Sequence, residues 1–163
     1  MNTNVNWIED MVRQDELRDA QNTANEKEEQ AALLLITQKG PEFLNQVHKK
    51  NQIAVDALKE KTKLSGSLSN GTHPLDSAES IYRVEVTNNH VIPKQAYIEL
   101  HYSKRNPLVI RCVPMEDDSY RAYLRVQNNN VVVLCPTLDG DRLMNELEFS
   151  TFIMKQLVEN VRD

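Results

Sequence analysis

Arginine and tyrosine alternate with apolar residues in "SYRAYLRVQ", residues 119 to 127, so Arg121, Tyr123 and Arg125 fall on one side of an extended chain. Guanidinium groups beside aromatic rings hold phosphates, carboxylates and stacked bases through bidentate hydrogen bonds and stacking. Sorting the neighbouring strands by period two adds three more residues to that side. The candidate ligand-binding set is Arg111, Arg121, Arg125, Tyr97, Tyr123 and His101. The competing reading is a solvated sheet face, with Glu99 as counter-ion and arginine stems lying over the strands.

Other reactive residues do not assemble. Asp139-Gly140-Asp141 resembles a metal-binding turn, but the same residues suit a strand-to-helix turn with Asp139 or Asp141 as N-cap. Glu116, Asp117 and Asp118 read as a solvated hairpin tip. The four histidines are scattered without metal-ligand spacing, and four glycines leave little for a phosphate loop. Cys135 and His101 share a face but lie in different rows, about two strands apart, which is too far for a nucleophile and its base. No catalytic residue, metal site or cofactor is therefore assigned. The chain reads as a non-enzyme, with a site built between subunits as the open exception.

Composition narrows the classes. The formal charge of −5 over 163 residues argues against a general nucleic-acid or membrane-surface binder. The longest apolar run, Ala31 to Ile36, is far too short to span a bilayer. The opening "MNTNVNWIEDMV" lacks the basic and apolar regions of an export signal. Two cysteines without a pairing pattern suit a reducing compartment, so a cytoplasmic location is expected.

The elements that position these residues follow from periodicity. Residues 5 to 64 are rich in helix formers, and Gly40-Pro41 interrupts them with the signature of one helix ending and another beginning. A helical hairpin over 1–64 is expected, its thin apolar seam suited to docking or self-association. Residues 65–80 begin with "SGSLSNGTH" and read as a flexible linker. Residues 81–163 read as an antiparallel sheet and a C-terminal helix. Strands are expected at 81–86, 95–103, 107–114, 120–127 and 131–136. The expected fold is α+β: a helical hairpin, then a five-stranded antiparallel meander packed against a C-terminal helix.

Keeping core residues opposite core residues gives a trial register. It places Glu99, Arg111, Arg125 and Val133 in one outer row, with Arg83 beside Glu99. Tyr97, Val113, Tyr123 and Cys135 fall in the next, and Cys112 lies on the opposite face from Cys135. The expected function is a non-enzymatic protein-binding or adaptor module that self-associates through its N-terminal helices. The alternative is a binder of a small anion or single-stranded nucleic acid on the Arg/Tyr face. No membrane partner is expected.

Overall fold

The computed structural model describes residues 5–90, 92–114 and 120–162. The carboxylates of Glu116, Asp117 and Asp118 lie outside the described residues, as do the first four residues of the chain. One helix, α1 (Asn6–Lys61), is followed by seven strands. These are β1 (Leu64–His73), β2 (Asp76–Asn88), β3 (Lys94–Ser103), β4 (Asn106–Val113), β5 (Arg121–Gln127), β6 (Asn130–Thr137) and β7 (Gly140–Met144). A second helix, α2 (Glu146–Val161), closes the chain. The strands form one antiparallel meander in the order β1 to β7.

The expected helical hairpin and five-stranded sheet are both corrected. Gly40 and Pro41 sit inside one continuous helix. Pro41 supplies no N–H for the helical ladder, so local propensity alone would break the chain there. Tertiary packing overrides it. Gly40 is buried against the sheet, where an added Cβ would stand 2.5 Å from the Tyr102 hydroxyl oxygen and 3.3 Å from Leu124 Cδ1. This glycine serves close approach of helix to sheet rather than a left-handed cap.

The two additional strands occupy segments read as linker and as helix. β1 alternates Leu64, Gly66 and Leu68 toward the core with Ser65, Ser67 and Ser69 outward, and it pairs with β2 from Leu64↔Asn88 onward. Gly66 again admits a helix, since its Cβ would meet the Glu85 carbonyl oxygen at 2.6 Å and Val55 at 3.2 Å. β7 hairpins onto β6 through Leu138 and Asp139, with Gly140 at φ 104°, so the carboxylates of "DGD" bracket a strand turn. The helix cap falls later, at Asn145. Its side chain accepts from the Glu148 N–H at 2.8 Å while Glu148 returns to the Asn145 N–H, a reciprocal capping box. α2 then runs without a break through Ser150 and Thr151.

The chain divides into two units, Met1–Leu34 and Leu35–Asp163. In the first, residues 5–34 are exposed throughout, apart from half-buried Asp15 and Ala32. In the second, α1 residues Ile36, Phe43, Leu44, Val47 and Val55 join α2 residues Phe149, Ile153, Leu157 and Val161 over one face of the sheet. Phe43 stacks on Phe149 with ring centroids 6.4 Å apart. Ser150 donates a hydrogen bond to Asn51 Oδ1 at 2.6 Å, a polar pair buried between the helices. Among the described residues, no helix is long and apolar enough to cross a membrane.

Candidate functional site

The face of the sheet turned away from α1 and α2 carries all six candidate residues. Its register differs from the trial one, and the turns explain how. Asn128 and Asn129 have φ of 51° and 63°, the positive-φ signature of a two-residue type I′ hairpin. Gln127 therefore pairs with Asn130, and Tyr123 faces Leu134. A three-residue reading of the same asparagines shifts β6 by one and inverts its faces. Val131, Val133 and Cys135 consequently belong to the core, and Leu134 takes the outer side.

Both cysteines thus lie on the core face, buried as free thiols. Burial pushes the Cys112 thiol up, and pushes Cys135 up to about 12. Neither is a nucleophile at neutral pH. Cys135 and His101 are on opposite faces of the sheet.

On the outer face, β2 and β3 carry an ion-pair network. Arg83 lies opposite Glu99, as the trial register has it. Its guanidinium reaches Glu85 at 2.8 Å and Glu99 at 3.3 Å, and stacks over the Tyr97 ring at 3.8 Å. The hydrogen bond from Arg83 holds the Glu85 carboxyl below its ordinary range, helped by Gln95 and opposed by burial. His101 is 9% exposed, with Nδ1 3.2 Å from Glu79 and Nε2 3.2 Å from Glu99. Arg111 Nη2 approaches His101 Nδ1 at 3.1 Å and Glu79 at 3.5 Å. The former is a hydrogen bond when Nδ1 is bare, and Nε2 then donates to Glu99. Tyr97, His101 and Arg111 are therefore engaged with acids or bases of their own face. Glu79 escaped sequence reasoning because the linker expectation covered it.

The other half of the face is different. β4, β5 and β6 contain no Asp or Glu, yet carry Arg111, Arg121 and Arg125. Arg111 stands directly opposite Arg121, not Arg125 as the trial register placed it. Arg121 donates to the Tyr120 carbonyl at 3.2 Å and Arg125 to the Leu124 carbonyl at 3.0 Å. The Arg125 guanidinium lies 5.5 Å from the Tyr123 ring centroid. Between the arginines runs an apolar row set by pairing alone: Val109↔Tyr123, Tyr123↔Leu134, Leu134↔Leu143. Val109, Tyr123 and Leu134 are half-buried, and Leu143 is 42% exposed. Leu134 and Leu143 were missed as face residues because one was phased into the core and the other into a helix. The alternation in "GDRLM" is too short to signal a strand without its hairpin partner.

A cleft of about 660 Å³ is lined by residues of both sheet faces, of the β6–β7 turn and of α2. Tyr97, Arg121 and Tyr123 line it from the outer face, Arg142, Phe152 and Gln156 from the helix side, and Asp139 from the turn. Among the described residues, no group of three or more His, Cys, Asp or Glu side chains is placed to hold a metal ion. Comparison with protein-family models, curated proteins and solved structures gives no significant match.

Proposed function

We propose that the protein is a non-enzymatic protein-binding module whose binding surface is the outer face of β4 to β7. The observation that carries this is the four-strand apolar row Val109–Tyr123–Leu134–Leu143, with Arg125 along one edge and, along the other, a row that runs from Glu79-paired Arg111 through Arg121 and Pro136 to Asp141. At about 4.8 Å per strand the row is roughly 14 Å long, enough for two turns of an amphipathic helix. Arg125, on a strand without carboxylates, favours acidic side chains along that edge of the partner. The expected partner is therefore an acidic polypeptide segment with an apolar stripe, laid across the strands.

Photo-crosslinking tests this. A photoreactive amino acid replaces Leu143 in the full chain, and a control carries it at Ser67 on the distant β1 strand. The reading expects position 143 to capture polypeptide whose crosslinked segment is acidic and amphipathic. Capture no greater than at position 67, or capture of basic segments, would contradict it.

A second reading rests on the cleft, which Arg121 and Arg142 line together with aromatic rings and the carboxylate of Asp139. It makes the site a binder of a small anion. Titration with pyrophosphate, followed by calorimetry, checks it. Binding that disappears in Arg142→Ala supports this reading, and no heat with the wild-type chain removes it.

A further inference from the structure

We infer that the segment held by this face is the N-terminal helical region, residues 6–34, of a second copy of the chain. This rests on the protein-binding reading of the face and adds the identity of its partner. Between Met1 and Leu34 eight carboxylates stand against Arg13, Arg18 and Lys27, a formal −5 that equals the charge of the whole chain. The unit Leu35–Asp163 is formally neutral, so charge is segregated between the two units. The acidic helix carries one compact apolar patch at helical spacing: Trp7, Ile8, Met11 and Val12, exposed by 60%, 41%, 47% and 47%. Glu9, Asp10, Asp15 and Glu16 surround that patch in sequence. An apolar patch with acidic flanks matches an apolar row with Arg125 along one edge.

The same charges argue against helix pairing with helix. Two copies of a −5 segment repel, and the seam through Leu17, Ala20, Ala24, Lys27, Ala31 and Leu34 offers small side chains and a lysine. Beyond its patch the segment has little apolar surface to bury by itself. A helix this polar gains stability by docking its apolar turns on another surface. The contact is heterologous, the helix of one copy on the sheet of the next.

Heterologous contacts have a diagnostic that symmetric ones lack. One variant of the full chain carries Trp7→Glu with Met11→Glu, and the other carries Arg125→Glu with Leu143→Glu. All four positions are exposed; circular dichroism and melting temperature are to be recorded for each variant as the check that it folds. Sedimentation velocity is run up to about 100 μM, a range that detects contacts of micromolar strength. The inference expects wild-type chain to associate, each variant alone to sediment as monomer, and an equimolar mixture to regain a species of twice the monomer mass. In that mixture the intact helix of one variant meets the intact face of the other. A monomeric wild type overturns the inference. So does association of the Arg125→Glu, Leu143→Glu variant alone, which would show helix-to-helix pairing. A monomeric wild type leaves the protein-binding face itself standing, because crosslinking from position 143 to a different acidic polypeptide separates the two.

Discussion

Replacing Pro41 by Ala distinguishes one continuous helix from two. An interior helical proline costs about 3 kcal/mol relative to alanine, through the absent N–H and the clash of its ring with the preceding turn. Pro41 is half-buried, so alanine forfeits part of the burial of about two methylenes, worth roughly 1 kcal/mol. The net expectation is a stabilisation of about 2 kcal/mol. For a domain of this size that raises Tm by roughly 4 to 8 °C. Urea unfolding followed by helical circular dichroism should show a higher midpoint with an unchanged slope. If instead a second helix began at Pro41, its fixed φ would be an asset, and alanine would destabilise by about 0.4 to 1 kcal/mol. A lowered midpoint would thus refute the continuous helix. The adjacent Gly40→Ala should act the other way. Its gain of about 1 kcal/mol in helix propensity is opposed by a Cβ 2.5 Å from the Tyr102 hydroxyl oxygen, an overpacking that costs about 1 to 3 kcal/mol. In a Tyr102→Phe background, which lacks that oxygen, Gly40→Ala should become neutral or stabilising.

Three further outcomes follow from the same packing. Ser150→Ala should cost about 1 to 3 kcal/mol by leaving buried Asn51 without its donor, and adding Asn51→Leu should recover much of the loss in a double-mutant cycle read by urea unfolding. Burial lowers His48 below its ordinary value of 6.5, its Nδ1 finds no hydrogen-bond partner, and its ring packs edge-on against Tyr82 at 5.5 Å. The unfolded chain therefore binds a proton that the folded one refuses. Stability should be full above pH 6.5 and decline as pH falls below it, and His48→Phe should flatten that decline in melts recorded across the range. Cys112 and Cys135, both buried and raised, should react with a disulfide reagent at pH 8 only as fast as the protein opens; rapid labelling of either in the native state would contradict their placement.

Much of the sheet is legible in the sequence, because β3, β4 and β5 alternate cleanly and their apolar residues find a helix-covered core. The capacity of Arg83 and Glu99 to pair is legible for the same reason. What escapes is decided by tertiary contact or by a single residue of turn length. Gly40-Pro41 carries the strongest local stop signal in the chain, yet the helix continues because Gly40 lets it press on Tyr102 and Leu124. "LSGSLS" does alternate, but serine and glycine hide the pattern behind a linker composition, and its strand character comes from pairing with β2. Three consecutive asparagines leave open whether two or three of them turn. The positive φ of Asn128 and Asn129 settles on two and turns all of β6 over. The candidate site changes accordingly. Tyr97, His101 and Arg111 belong to an internally satisfied network, whereas Arg121, Tyr123 and Arg125 border an apolar row whose other members depend on that single-residue phase.

The most direct test of the binding face is a methyl NMR spectrum of the full chain, labelled at valine and leucine, with and without a synthetic peptide of residues 5–34. The methyl groups of Val109, Val132, Leu134 and Leu143 should shift as peptide is added, while those of core residues Val84, Leu100 and Leu124 stay in place. An unchanged spectrum, or shifts confined to other surfaces, would contradict an acidic amphipathic helix docking on the arginine-bordered row.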